Sequence, residues 1–575
     1  IIRLAQGKHG ASYQQQEVAM EALVDFCRQP SFMYEMYVNF DCDISCSNLF
    51  EDLISLLSKS AFPVNSPLSA MHVLSLEGLV AIIQSMVDRL GSIQKPPPPC
   101  VDIPISEYVP FWTAICENYE DPKCWVDFVQ RQKFIKHKLM IGADHFSRDQ
   151  KKGFEFLQGI HLLPEKLDAS SVAGFFRYTT GLDKGLLGDY LGDPEEFCLQ
   201  VLEEFTKTFD FKGMSLDMAM RVFLATFRLP GEAQKIHRIL EAFAARYYEQ
   251  SSQVLADKDA AFVLAYSLIL LNTDQHNSQV KKKMSEEDFI RNNRKINGGQ
   301  DLPREYLSDL YHSILKNEIK VSYASGGATN GGTAEMNPSA WVGLVYNSKK
   351  MSPYLICDSR AFLDQDMFSI ISGPTVAAVS VIFDHAEDEE VLNLCEQGFF
   401  GVAKISASYH LVEVLDDLVV SLCNFTTLPN SSGSVDELLL CFGEDAKACM
   451  AAKTVFKIVN TYGDHIRSSW RNVVDCILQL QKIGLIPSRI LNDNADDVEM
   501  SSEILGRTVI GNALSTQTRK RPSGLMGRFS QLLYLEPDEP KTQPSEEQLA
   551  AHQEALKVIE ACHIDTIISE SKFLQ

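Results

Sequence analysis

Glu232 stands directly after Leu229, Pro230 and Gly231. Proline and glycine mark a tight, solvent-facing turn. Beyond it Ile236, Ile239, Leu240, Phe243 and Ala244 recur at helical spacing. The pattern places a lone carboxylate at the mouth of an amphipathic helix, held out from the surface by a rigid turn. Such a group can act on a charged partner from a fixed position; it can equally complement the positive end of its own helix. A second segment gathers polar groups. Ala260 to Leu271 is almost wholly apolar, too short to span a bilayer, and reads as a helix buried in a core. It runs into Asn272, Thr273, Asp274, Gln275, His276 and Asn277. Helix-terminal hydrogen bonding accounts for such a cluster, and no carboxylate or cysteine is spaced to make His276 a convincing metal ligand. A hydrolase built on His276 and Asp274 lacks a nucleophile motif, a glycine-rich phosphate loop and a metal quartet.

The elements that position these residues are helical. No stretch alternates in the manner of a strand, so the class is all-α. In residues 11–93, Val73, Leu74, Leu76, Leu79, Val80, Ile83, Met86, Val87 and Leu90 make a broad apolar stripe, with Asn65, Ser66 and Pro67 as a start signal. IQKPPPPC at 93–100 reads as a stiff linker, and the glycine-rich 321–337 as a flexible one. Downstream, Val376–His385 and Val412–Cys423 are amphipathic, and such helical pairs suggest a HEAT- or armadillo-like array. Residues 491–520 are polar, with an acidic start and a basic end, and read as disordered or looped. A last helix, Ser545 to Cys562, precedes a tail. The expected layout is a helical upstream region at 1–125, a central helical domain at 131–320 and a helical downstream region at 338–575.

Composition narrows the function classes. At 575 residues the chain has room for three or four domains. Its formal net charge of −23 argues against non-specific nucleic-acid binding. Residues 131–320 carry 27 basic and 27 acidic side chains of the 53 and 76 in the chain, so the whole acidic excess lies in the flanks. An acidic body adheres poorly to anionic lipid, so membrane attachment is expected to be peripheral and to come from partners or local basic patches. No unbroken run of eighteen apolar residues is present, and no spanning helix is expected. The fourteen cysteines show no CxxC pairs, the usage of a reducing compartment with free buried thiols. The start, IIRLAQGKHG, has neither initiator methionine nor signal-peptide architecture, so the chain is expected to begin mid-protein.

FRLPGEAQKI (227–236) and LNTDQHN (271–277), in this order and about forty residues apart, resemble the paired signature motifs of the Sec-seven domain. That domain is the catalytic unit of guanine-nucleotide exchange factors for Arf GTPases. The resemblance covers roughly 131–320. The flanks are similar to the large Golgi-type subfamily, most closely the plant GNOM-like proteins. Asn39, Phe40, Asp41, Cys42 and Asp43 look like that subfamily's signature box, and residues 406–428, 521–533 and the terminal CHIDTIISESKFLQ are similar too. The resemblance implies a multi-helix catalytic domain between helical flanks and an Arf-family GTPase, GDP-bound or nucleotide-free, as partner. It also implies peripheral attachment to Golgi or endosomal membranes in support of coat recruitment, and neither cofactor nor metal. Glu232 matches the family's glutamic finger. Phe262, Tyr266, Ser267, Ile269, Leu270, Thr273, Asp274, Asn277 and Met284 match the groove that receives the GTPase. The alternative is a non-catalytic helical scaffold that binds small GTPases. The family's more N-terminal dimerisation region is expected to be missing, which leaves a homodimer in doubt. Relatives sensitive to brefeldin A carry methionine where this chain has Leu270, while Tyr266, Ser267, Asp274 and Met284 match the sensitive type, so a resistant protein is expected.

Overall fold

The computed structural model describes residues 1–7, 10–63, 67–90, 105–251, 254–319, 354–356, 363–430, 435–486 and 546–571. The expected linkers at 93–100 and 321–337, the polar stretch 491–520 and residues 521–533 lie outside them. Among the described residues every regular element is a helix, with one isolated bridge between Asn297 and Gln300. The chain is all-α, and its contacts divide it into two compact units, Ile1–Ala378 and Val379–Gln575.

In the first unit the helices Tyr13–Cys27 and Leu49–Ser60 both pack on Ala70–Leu90. The stripe read from sequence is the buried face of that last helix: Leu76, Leu79, Val80, Ile83, Met86 and Val87 are all inside. The 27-residue helix Pro122–Arg148 follows, begun by an Asp121 cap and a proline in its first turn. Its Ile135, Leu139 and Phe146 enter one continuous core that extends to Ile319. Phenylalanines dominate that core. Phe205, Phe209, Phe223 and Phe227 meet mostly edge to face, and Phe243 tilts against Phe223 at 5.2 Å. Ile44 and Phe111, from upstream of residue 131, belong to the same cluster, so the upstream region and the central domain share a core.

Among the described residues two helices, Ala70–Leu90 and Asp364–His385, are long and apolar enough to cross a membrane by length and composition, although neither is an unbroken apolar run. About half of each, 56% and 50%, is buried inside the protein. Both also carry a charge into the interior. Arg89 Nη2 lies 2.8 Å from Asp364 Oδ1, with the two side chains 9% and 0% exposed. Removing one partner of such a pair leaves a buried, uncompensated charge, so it ties the ends of these helices together.

In the second unit Glu389–Ser408, Val412–Phe425 and Ala446–Tyr462 pack on one another, and Trp470–Lys482 packs on Val412–Phe425. Leu415, Leu418, Val419 and Leu422 form the inner face expected of the second of these. The stretch after Cys562, expected as a tail, is instead the helix Ile564–Ser571, because Ile564 and Ile567 fall three apart and both bury, the helix lying against Ala446–Tyr462. Asp416 organises a corner that its own sequence neighbourhood does not announce. Its carboxylate accepts the amides of Arg467, Ser468 and Ser469 and both serine hydroxyls, at 2.6 to 3.3 Å, at the start of Trp470–Lys482. Burial pushes the acid up, but the bonds from Ser469 and Ser468 and the backbone overrule it and hold it at about 2, below the usual 3.8. A depressed carboxyl contributes stability above its unfolded value and loses it as pH falls through the folded one. Asp416→Asn should therefore cost about 2 kcal/mol at pH 7, the gap to the parent narrowing below about pH 4. Urea unfolding of both proteins from pH 7 to 3 reads this; a gap independent of pH would contradict it.

Candidate functional site

Glu232 leaves a loop that the core grips from below. Phe227 and Leu229 are buried, whereas Gly231 and Glu232 face solvent. The Arg228 amide donates to the Lys184 carbonyl at 2.8 Å. Gly188, one turn further along the Lys184–Leu191 helix, has no side chain where the loop crosses: a Cβ there would fall 1.8 Å from the Arg228 carbonyl oxygen. Glycine is what lets the two backbones touch. The next helix, Ala233–Gln250, starts immediately after Glu232, and the Glu232 carboxylate makes no capping bond to it. The side chain is 75% exposed, and among the described residues it pairs with Lys235 Nζ at 3.7 Å, itself shared with Asp189 at 3.3 Å. A long, exposed pair of this kind holds weakly. The result is a carboxylate fixed at its root and free at its tip.

Ala233–Gln250 packs on Lys258–His276, and between them lies a groove of about 490 Å³ lined by Ala233, Gln234, His237, Arg238, Phe262 and Tyr266. The Phe262 ring meets His237 edge-on at 4.7 Å and Tyr266 at 6.3 Å. The groove thus begins at the residue after Glu232. The second helix buries Leu264, Leu268 and Leu271 and turns Val263, Tyr266 and Leu270 outward, 41%, 38% and 51% exposed. Exposed apolar side chains spaced along one face of an otherwise buried helix form a ready contact surface. Asp274 and Asn277 continue the Tyr266–Leu270 face, since 266, 270, 274 and 277 follow helical spacing.

The remaining groove residues have internal duties. Ile269 is 5% exposed and belongs to the core, so it does not line the outward face. Ser267 Oγ accepts from Asn293 Nδ2 at 2.9 Å. Thr273 Oγ1 donates back to the Ile269 carbonyl. Asp274 Oδ2 accepts the Met284 amide at 2.6 Å and fixes the loop that brings the half-buried Met284 back beside the helix. Asn277 closes the helix and accepts the Gln279 amide. His276 Nε2 bonds the Ile314 carbonyl at 2.7 Å, whereas Asp274 serves Met284, so the two do not form a dyad.

The box at Asn39–Asp43 lies in and after a single π-helical turn, Tyr37–Asp41. Asp41 is fully buried and accepts the Phe50 and Glu51 amides at 2.8 and 3.1 Å, capping Leu49–Ser60 from a distance. Burial raises this acid to about 6. Lys136, 1% exposed on the Pro122–Arg148 helix, donates to the Phe40 and Asp41 carbonyls, and burial lowers it to about 8. Asn39 pairs with both backbone groups of Leu355 at 2.7 and 2.9 Å, Cys42 is buried, and Asp43 caps its own turn through Ser45. The box therefore joins three segments of the first unit. Among the described residues, Asp193, Glu195 and Cys198 are the group whose metal-ligating atoms gather within 4.8 Å. Burial raises the Cys198 thiol to about 11, which opposes the thiolate a metal needs.

The residues that build this groove fall within a stretch that matches a known domain family. Residues 135–319 match the Sec7 domain, and residues 1–49 match the HUS domain described as Mon2/Sec7/BIG1-like. Residues 135–319 thus form a Sec7 domain, and the whole chain is similar to part of the plant ARF guanine-nucleotide exchange factors. It is 62% identical to the ARF guanine-nucleotide exchange factor GNOM of Arabidopsis thaliana, an alignment covering 100% of this chain and 40% of that protein. It is 56% identical to GNL1 of the same plant with the same coverage. The chain thus spans about two fifths of the length of these curated relatives. A solved structure of ARF1-GDP bound to a Sec7 domain complexed with brefeldin A is 41% identical over 32% of this chain and 93% of that one, with a TM-score of 0.30.

Proposed function

We propose that this chain is a guanine-nucleotide exchange factor that makes an Arf-family GTPase release GDP, with Glu232 as the group that acts. The observation that carries the reading is Glu232 itself: exposed, uncommitted to its helix, and rooted beside the groove of a Sec7 domain. GDP is held by phosphate contacts and magnesium, so an exchange factor must weaken those electrostatics. A carboxylate brought beside the β-phosphate repels it, competes for the site of the metal and pairs with the GTPase's phosphate-binding lysine. Excluding water raises one such contact from about 1 to about 4 kcal/mol. No covalent bond changes. Phe262, Tyr266 and Leu270 supply apolar contact to the GTPase, with Asp274 and Asn277 at the rim. The signature box braces the domain from upstream. The paired helices of the flanks support a HEAT- or armadillo-like regulatory array. The acidic flanks favour peripheral attachment at Golgi or endosomal membranes through partners, in support of coat recruitment.

The reading requires a complex that nucleotide dissolves. Purified chain and Arf stripped of nucleotide should co-elute in gel filtration and separate when GTP is added. A complex indifferent to nucleotide would indicate a scaffold. Gly188→Ala tests the rooting of the loop. It should slow exchange by roughly tenfold to a hundredfold through misplacement of Glu232, with helical content kept. An unchanged rate would detach loop position from activity. In a membrane fraction the protein should be released by high salt or alkali, and retention under both would count against peripheral attachment.

A further inference from the structure

Two cysteines that the exchange reading does not use face each other where the chain enters the Sec7 domain. Cys116 Sγ and Cys124 Sγ are 3.9 Å apart. A disulfide needs about 2.05 Å, so the sulfurs are about 1.9 Å from bonding distance. Both ends are held in place. Cys124 sits in the first turn of Pro122–Arg148, behind its Asp121 cap. The segment before Cys116 is anchored by Trp112, whose ring stacks on Tyr178 at 5.9 Å and fills the space beside Gly174. Cys116 is 6% exposed and Cys124 half-buried, so an oxidant reaches Cys124 first. By contrast Cys423 and Cys476, in the second unit, are wholly buried.

We propose that Cys116 and Cys124 are an oxidisable dithiol that a hydroperoxide closes into an intramolecular disulfide. The Cys124 sulfur attacks the peroxide, the O–O bond breaks, an alcohol or water leaves, and Cys124 becomes a sulfenic acid. The Cys116 sulfur then attacks the Cys124 sulfur; the S–O bond breaks and water leaves. Each turnover reduces one peroxide and oxidises the two thiols by two electrons. The bond staples the segment leading into the domain to the domain's first long helix, and a dithiol reductant restores it.

The test uses the full chain and hydrogen peroxide at one to a few equivalents, then thiol alkylation, trypsin and tandem mass spectrometry without reductant. Lys123 puts a cleavage site between the two cysteines, so the bond holds two peptides together. The expected result is a reductant-sensitive link between those peptides, formed while Cys423 and Cys476 remain unoxidised. In Cys116→Ser the link should vanish and Cys124 should be trapped by dimedone as a sulfenic acid, which also excludes Cys100 on the shared peptide as the partner. Cys124→Ser should slow peroxide consumption at least tenfold. Equal alkylation of Cys116 and Cys124 before and after peroxide, or a link only between two chains, would overturn the proposal. So would Cys124 in Cys116→Ser giving no dimedone adduct.

Discussion

Glu232→Lys should lower the rate of GDP release from Arf by roughly a thousandfold, while the protein folds as the parent does and still docks on Arf–GDP within about tenfold of parent affinity. The Glu232 backbone carbonyl, which accepts the Ile236 amide, serves the helix whatever the side chain. Its side chain is 75% exposed, makes no capping bond and has one weak ion pair with Lys235. The loop is instead held by Phe227, Leu229 and the Arg228–Lys184 bond. Reversing the charge turns repulsion of phosphate into attraction, so the effect falls on the reaction. Circular dichroism and urea unfolding monitor the fold, and nucleotide release monitors the rate. A variant that exchanges at the parent rate would remove Glu232 from the mechanism. One that unfolds would return it to the role of a helix-start residue.

Leu270→Met should convert a protein that brefeldin A does not inhibit into one that it does, with basal exchange changed by less than about twofold. The swap keeps volume and apolarity, and such changes cost the fold under about 1.5 kcal/mol even when buried. Leu270 is 51% exposed on the Tyr266 face, so the cost here is smaller still. Methionine's unbranched chain bends around an occupant where leucine's branch cannot. Tyr266 shares that outward face, and Asp274 fixes Met284 beside it. Exchange assays with and without inhibitor on both proteins decide the matter. Equal response in both would remove Leu270 from the drug's surface.

What was legible in the sequence was local. The exposed bend at Gly231, the following helix and the spacing of Tyr266, Leu270, Asp274 and Asn277 follow from a few adjacent residues, whereas Pro230, read as solvent-facing, is buried by the packing beneath the loop. Ile269 was not separable from its neighbours, because the helix is apolar nearly all round and only the packing decides which residues the core takes. Lys136 and Asp416 were invisible for a different reason. Each looks like an ordinary surface charge, and the groups that bury it lie 95 and 53 residues away in sequence. The shared core of the upstream region and the Sec7 domain is likewise a product of long-range packing, through Ile44 and Phe111.

If the chain drives GDP off an Arf GTPase through Glu232, nucleotide release reports it. The most direct measurement loads purified Arf with a fluorescent GDP analogue, adds excess unlabelled GTP, and follows fluorescence with catalytic amounts of the chain. Release should accelerate in proportion to the chain's concentration, with Glu232→Lys at the spontaneous rate. Release that is no faster with the parent chain than without it would contradict the account.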